Sequence, residues 1–294
     1  MSNSMCYGIV VGVDGSAASN AAIAWAAMDA ARRGVLLTLV HVLPSPLLSI
    51  WPEPPIPDAN WAWREEYARE LLDAADAVVG RAIEDLGPIT LAHRVLHGAP
   101  VAQMVDMSKQ ATTVVVGRSG RNALHRRFIG SVASGLLHHA HAPVAVTPNV
   151  ESGEGTSQLP VLLGVDGPPT SKAAIEIAFE EASRLGVGLT ALHAWADIGR
   201  GTMPAADWER QIALGEVALA DRLARWQERY PHVAVDRRLV HGEPTCRLVE
   251  ASQTAQLTVV GSHGRGGFAG MMLGSVSSGT VQAAHTPVIV ARPR

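Results

Sequence analysis

Short apolar runs alternate with longer amphipathic segments along the first half of the chain. The run 8–13 is apolar on both faces and ends in the turn sequence Asp14-Gly15-Ser16. A run without alternating polar positions is typical of a strand buried in a parallel sheet. Ser16 is a good helix N-cap, and apolar positions then recur with helical spacing until Gly34. The pattern therefore predicts a strand, a tight turn and a helix over 16–33.

The same alternation continues through the rest of the first half. A proline-rich stretch at 43–60 interrupts it and predicts a long loop. Strands that alternate with helices form a parallel sheet with helices on both faces, so the sequence predicts an α/β domain. The remaining predicted strands are 35–42, 91–96, 113–116 and 144–147, and the remaining predicted helices are 61–86, 99–110 and 131–140.

The order of motifs restarts after a segment rich in Glu, Ser, Gly and Thr. The pair Val40-His41 returns as Leu192-His193, and later motifs return in the same order. A repeat of this length indicates a duplication that covers nearly the whole chain. We therefore predict two domains of one fold, at residues 1–148 and 160–294, with residues 149–159 as the linker.

One glycine-rich loop occurs in each half, directly after a β-branched run. It extends from Gly117 to Ser131 in the first half and from Gly261 to Ser275 in the second. Each loop leads into a predicted helix, where backbone N–H groups and the positive end of the helix dipole can hold a phosphate. Ligands of open parallel sheets bind at the carboxyl ends of the strands, so Asp14 and Gly117 are expected to line one crevice. We expect Gly117 to leave room for the ligand because it has no Cβ.

Composition and charge exclude several classes of protein. The chain has 294 residues, of which 47% are hydrophobic and 17% charged, a balance that allows two globular cores. Its net charge of −3 gives no indication of a nucleic-acid surface. The most apolar stretch, 35–51, is broken by His41 and prolines, so no membrane span is expected. Because Cys6 and Cys246 are far apart and no signal peptide is evident, we predict free thiols and a cytoplasmic location.

The motifs of fast nucleotide chemistry are missing. The sequence contains no Gly-Lys dipeptide, no G-x-G-x-x-G after either first strand and no G-x-S-x-G elbow. His263 is the nearest candidate for a general base, but the matching position in the first half is Ser119. The two loops are therefore expected to hold a nucleotide without the groups that hydrolyse it quickly, and no catalytic residue is predicted.

Two other clusters have a plainer explanation. Three histidines, His138, His139 and His141, lie at the end of a predicted helix, where histidine interacts favourably with the helix C-terminus. That explanation is favoured over a metal site, and no metal ligand is predicted. The tryptophans 51, 61 and 63 flank the proline-rich loop, and burial against the first domain is favoured over a partner surface.

With these motifs in place, the chain resembles the universal stress protein family in its tandem two-domain form. The resemblance rests on the ATP-binding signature G-x2-G-x9-G-[ST] in both halves and on the Val-Asp pair after each first strand. It implies two Rossmann-like domains of the adenine nucleotide alpha hydrolase type. Each would have a five-stranded parallel sheet of order 3-2-1-4-5 between helices, with ATP at the glycine loop, alone or with Mg²⁺ or Mn²⁺.

The resemblance also implies the residues that contact the nucleotide. The adenosine end would meet the aspartate, the main chain at the end of the second strand and the first glycine of the loop, and the phosphates would meet the others. The first-half residues are Asp14, Val42, Gly117, Ser119, Gly120, Gly130, Ser131 and Val132. The second-half residues are Asp166, Ala194, Gly261, His263, Gly264, Gly274, Ser275 and Val276.

The family resemblance implies a regulatory role in stress response or growth control, in which the nucleotide state is read by an unidentified protein partner. Two alternatives stay open: a slow ATPase or phosphotransferase that depends on a divalent ion, and an adaptor in which ATP is only structural. Family members pair through their last strands, which predicts pairing of 144–147 with 288–291 about a pseudo-twofold axis, and a homodimer.

Overall fold

The chain forms two compact units, Met1–Glu151 and Ser152–Arg294. They are called the first and second unit below. The computed structural model describes residues 7–44, 58–120, 129–148, 158–166, 172–195, 205–262 and 273–292. Two predicted site residues, His263 and Gly264, lie outside the described residues.

Both units have the same order of elements. In the first unit these are β1 (Gly8–Gly12), α1 (Ala17–Arg33), β2 (Leu37–Leu43), α2 (Asp58–Ala82), β3 (Leu91–His97), α3 (Pro100–Ser108), β4 (Ala111–Gly117), α4 (Ser131–His139) and β5 (Val144–Thr147). In the second unit they are β6 (Val161–Gly164), α5 (Lys172–Leu185), β7 (Leu189–Trp195), α6 (Ala205–Arg229), β8 (Val235–His241), α7 (Pro244–Ser252), β9 (Leu257–Gly261), α8 (Ser275–Ala283) and β10 (Val288–Ala291).

Each unit contains five parallel strands in the predicted order. The first unit has the order β3-β2-β1-β4-β5, and the second has β8-β7-β6-β9-β10. The central strands are largely apolar and largely buried, as helices on both faces require. In the first unit this order places β1 between β2 and β4, so the carboxyl ends of these three strands meet at one edge of the sheet.

Local signals set both ends of α1, as the sequence predicts. The Ser16 side chain accepts a hydrogen bond from the Ser19 N–H at 3.1 Å, which caps the helix N-terminus. Gly34 closes the other end in the left-handed conformation, with φ of 62°. This helix is therefore specified by its own sequence, and it starts directly beside the turn that carries Asp14.

The second helix differs from its prediction at both ends. It starts at Asp58, three residues before the predicted start. The prediction missed these three residues because they are mostly polar and add nothing to the apolar periodicity of the helix. It ends at Ala82 rather than 86 because the chain tightens into a turn there, with the Leu86 N–H bonded to the Ile83 carbonyl at 2.9 Å.

The predicted burial of Trp63 is wrong. Its side chain is 64% exposed and stacks on Tyr67 with ring centroids 5.9 Å apart. The buried positions of α2, such as Ala68, Leu72 and Ala75, follow a helical stripe that does not pass through position 63. The side chains of Trp51 and Trp61 lie outside the described part of the chain.

Two further features concern the helices and the cysteine of the described residues. No helix within the described ranges is both long enough and apolar enough to cross a membrane. Cys246 is an exposed free thiol, as its isolation in the sequence predicts.

Candidate functional site

A cavity of about 750 Å³ opens at the carboxyl ends of β1, β2 and β4 in the first unit. Its volume lies within the range of about 300–1,000 Å³ that small-molecule sites usually have. The structure brings together around it all eight first-half residues that the sequence singles out: Asp14, Val42, Gly117, Ser119, Gly120, Gly130, Ser131 and Val132.

Hydrogen bonds within the turn after β1 fix the position of Asp14. Its carboxylate oxygen Oδ1 accepts a bond from the Ser16 N–H at 2.9 Å, and its own N–H donates to Ser19 Oγ at 3.2 Å. The second carboxylate oxygen, Oδ2, lies close to the glycine loop: a Cβ added to Gly120 would be only 2.9 Å from it. Asp14 and the loop therefore touch across the cavity edge, and Gly120 makes this close approach possible.

The space beside Gly117 is taken by the protein itself. A Cβ at this position would lie 2.6 Å from the carbonyl oxygen of Ala18 and 2.7 Å from its carbonyl carbon. Since β4 is the neighbour of β1, the first turn of α1 passes directly over the end of β4. The sequence interpretation that Gly117 leaves room for a ligand therefore needs correction: its missing Cβ first of all makes room for the backbone of α1.

The two ends of the glycine loop are tied together in the first unit. The Arg118 N–H donates to the Thr147 carbonyl at the end of β5 at 2.9 Å, and the Arg118 carbonyl accepts from the Gly130 N–H at 2.8 Å. These bonds return the chain to the sheet edge, so that α4 begins beside the end of β4. The described ends of the loop therefore lie side by side at the cavity, where a Cβ added to Gly130 would lie 3.4 Å from the Gly120 nitrogen. The centre of the loop, 121–128, lies outside the described residues.

The same two anchoring hydrogen bonds are present in the second unit. The Ser262 N–H donates to the Ala291 carbonyl at 3.1 Å, and the Ser262 carbonyl accepts from the Gly274 N–H at 2.9 Å. The centre of this loop, 263–272, lies outside the described residues. Its anchors repeat those of the first loop bond for bond, as a duplicated site requires.

The helix after each loop begins without a side-chain cap. Gly130 and Gly274 occupy the N-cap positions of α4 and α8 in extended conformation, and neither helix start has a side-chain cap bond. The N–H groups of the first helical turn have no acceptor within the helix. Ser131 and Val132 supply such groups in the first unit, where both residues line the cavity. An anionic part of a ligand is the natural acceptor there.

The cavity wall carries both acidic and basic side chains. Asp14, His41 and Arg64 line it, and Arg64 Nη2 lies 3.4 Å from the Pro44 carbonyl oxygen. Because a carboxylate repels phosphate, Asp14 suits the uncharged part of a ligand, and the helix N-terminus suits its anion. Arg118 adds positive charge beside the loop: burial lowers the pKa of its guanidinium, yet an arginine stays protonated at neutral pH.

Sequence reasoning missed several side chains that line the cavity. Arg64 and Tyr67 come from α2, and no local signal marks them, because the face that a helix turns to a cavity is set by tertiary packing. The sequence did contain a signal for His41, because a histidine recurs at the matching position of the second half, His193. Ile129, next to Gly130, also lines the cavity.

The described part of the second unit contains six of the eight residues singled out in the second half. Asp166 lies two residues after the end of β6, Ala194 lies in β7 and Gly261 ends β9. Gly274, Ser275 and Val276 form the start of α8. These places match those of their counterparts in the first unit. In this unit Arg222 Nη1 of α6 donates to the Asp166 carbonyl at 3.1 Å.

The three clustered histidines lie at the end of a helix, as the sequence predicts. His138 and His139 form the last turn of α4, and His138 Nδ1 bonds to the Ser134 carbonyl at 2.7 Å. Among the described residues, the side chains close enough to share a metal ion are not these histidines but Asp73, Asp76 and His93. They are largely exposed, and a direct His93–Asp76 bond of 2.7 Å accounts for their proximity.

Comparisons with known proteins agree with this architecture. The universal stress protein family model matches the chain twice, at residues 7–148 and 159–292. A universal stress protein of Mycobacterium tuberculosis is 47% identical over 292 residues, which is 99% of this chain and 98% of that protein. One from Mycolicibacterium smegmatis is 46% identical over 288 residues, 98% of each chain.

The fold recurs in a solved structure. The crystal structure of a universal stress protein from Archaeoglobus fulgidus superimposes with a TM-score of 0.67 and 20% identity, and covers 97% of this chain and 96% of that chain. At this identity the likeness concerns the fold. The two family matches and the close relatives together show that the chain belongs to the universal stress protein family.

Proposed function

We propose that this protein binds one ATP in each unit and acts as a nucleotide-dependent regulator in stress response or growth control. The observation that carries the proposal is the uncapped start of α4, whose first residues line the same cavity as Asp14. That cavity offers both an anion site and a carboxylate acceptor. A nucleoside phosphate has the complementary groups, an anion and hydrogen-bond donors.

The arrangement suggests how ATP lies in the first unit. Its phosphates accept hydrogen bonds from the N–H groups of Ser131 and Val132, with Mg²⁺ or Mn²⁺ as a further counter-charge. Its adenosine end lies towards the end of β2, where Val42 lines the cavity, and Asp14 accepts from a hydroxyl or amino group. The second unit is proposed to hold its nucleotide in the same way, since the loop anchors and helix start are repeated there.

Binding is favoured over rapid hydrolysis. The charged or ionisable side chains on the described cavity wall are Asp14, His41, Arg64 and Tyr67, and no lysine is among them. The Asp14 carboxylate is already engaged by the Ser16 N–H, which disfavours a role as general base. We therefore propose a cytoplasmic protein that signals through bound nucleotide, with a protein partner as reader.

Titration calorimetry with ATP and with GTP tests this proposal. Two ATP per chain are expected, with GTP at least about tenfold weaker, because guanine presents a different pattern of donors and acceptors to the same wall. Release of phosphate in the same samples should match the buffer rate. Absence of ATP binding at millimolar concentration would contradict the proposal, and phosphate release well above buffer would favour the slow ATPase instead.

A further inference from the structure

One histidine occupies the same place in both units. His41 in β2 and His193 in β7 each direct Nδ1 to the carbonyl oxygen of the residue before the site aspartate. The distances are the same, 2.7 Å to Val13 in the first unit and 2.7 Å to Val165 in the second. A contact repeated at both aspartates is a feature of the site and not of one unit's packing.

The partner of Nδ1 fixes the tautomer of each ring. A backbone carbonyl only accepts, so Nδ1 must carry the proton. In the neutral imidazole the other nitrogen, Nε2, then has a lone pair and is an acceptor. Within the described residues neither His41 nor His193 has a further hydrogen-bond partner, and both residues are partly exposed.

His41 is also part of the cavity wall. It lines the cavity together with Val42, its neighbour in β2, and with Asp14, whose preceding carbonyl it holds. With Nδ1 bound to the strand end, the ring has a fixed orientation. The edge that carries Nε2 is the remaining polar edge of this side chain.

We propose that His41 and His193 recognise the bound nucleoside by accepting a hydrogen bond at Nε2. The inference rests on the proposed nucleotide function and adds a specificity-determining residue to each site. The donor is a ribose hydroxyl or the adenine amino group, since both lie in the adenosine part of the ligand and each can donate to a neutral imidazole. The hydrogen bond at Nδ1 fixes the tautomer in which Nε2 is an acceptor, so recognition at Nε2 depends on the bond at Nδ1.

A purely structural role for the histidine makes a different prediction. In that case the imidazole would only support the strand end that presents Asp14, and any side chain that keeps the bond to the Val13 carbonyl would serve. Asparagine can separate the two roles, because its amide N–H occupies the place of Nδ1 and it has no atom at the place of Nε2.

The test is ATP titration of the full chain with both histidines replaced, H41N/H193N, beside a control that loses both bonds, H41L/H193L. We expect the asparagine variant to melt near the wild-type temperature and to bind ATP about five- to tenfold more weakly, as for one lost hydrogen bond. The leucine variant should lose both affinity and melting temperature. An asparagine variant with wild-type affinity would overturn the proposal.

Nucleotide analogues identify the group that donates to Nε2. The analogues are 2′-deoxy-ATP, 3′-deoxy-ATP and inosine triphosphate, each of which removes one candidate donor. One of them should bind wild type about five- to tenfold more weakly than ATP, and should bind H41N/H193N as well as ATP does. If each of the three analogues weakens binding to wild type and to H41N/H193N by the same factor, the inference is overturned.

Nitrogen NMR of the wild-type histidines provides a second readout without any substitution. The Nε2 resonances of His41 and His193 should shift on addition of ATP, while Nδ1 stays protonated. An unchanged Nε2 in a protein that binds ATP would overturn the inference alone. Failure of the wild type to bind ATP would instead overturn the proposed function.

Discussion

Replacement of Gly117 by alanine is expected to lower the free energy of unfolding by about 3 kcal/mol, at the upper end of overpacking costs. The new Cβ would lie 2.6 Å from the Ala18 carbonyl oxygen. That atom belongs to the backbone of α1 and cannot move aside as a side chain can. Relief requires a shift of α1 away from β4, which disturbs the turn that carries Asp14.

The matched control is Gly80→Ala in α2. Gly80 lies in a helix, is exposed, and has no heavy atom within 4 Å of an added Cβ. Alanine there should raise the free energy of unfolding by up to about 1 kcal/mol, because glycine is the poorer helix former. Urea unfolding of both variants measures the difference. A Gly117→Ala protein of wild-type stability that fails to bind ATP would restore the original interpretation, in which the Cβ collides with the ligand.

Replacement of Asp14 by alanine is expected to weaken one of the two nucleotide sites and leave the other intact. Loss of an acceptor that carries a charge costs about 1.5–3 kcal/mol, roughly a 10- to 150-fold loss of affinity. Calorimetry should therefore show one tight ATP per chain instead of two. The Asp166→Ala protein should give the mirror-image result, with the first-unit site preserved.

Asp14→Asn separates the two roles of the carboxylate. Asparagine keeps an oxygen for the Ser16 N–H, which Oδ1 accepts at 2.9 Å, and so should preserve the turn. It should bind ATP better than the alanine variant but below wild type, since the charge is lost. Equal weakening of both sites by Asp14→Ala, or no change in either, would contradict the assignment of Asp14 to one site.

Those features of the fold that local chemistry decides could be predicted from the sequence. The α1 helix has its N-cap, its apolar stripe and its terminal glycine within one segment, and the structure has the predicted ends. The parallel sheets follow from the alternation of strands and helices, but their strand order came from the family resemblance. A duplicated glycine loop located the site because its residues are close in sequence.

What the sequence could not predict depends on contacts between distant elements. Gly117 looks like a ligand-facing glycine until β4 is placed beside β1, and then α1 is seen to occupy the space. Arg64 and Tyr67 reach the cavity because α2 packs with that face inward, and Trp63 is exposed for the same reason. No local pattern predicts these contacts, because the periodicity of an amphipathic helix shows which face is buried but not which elements pack against it.

Native mass spectrometry of freshly purified, undialysed protein, with the released small molecules identified, tests the central claim most directly. The expected spectrum shows the chain with two adenine nucleotides bound, and the same masses report whether chains pair. Asp14→Ala and Asp166→Ala samples then show which unit holds which nucleotide. An empty chain that also takes up no ATP when it is added at millimolar concentration would contradict the claim that these loops are nucleotide sites.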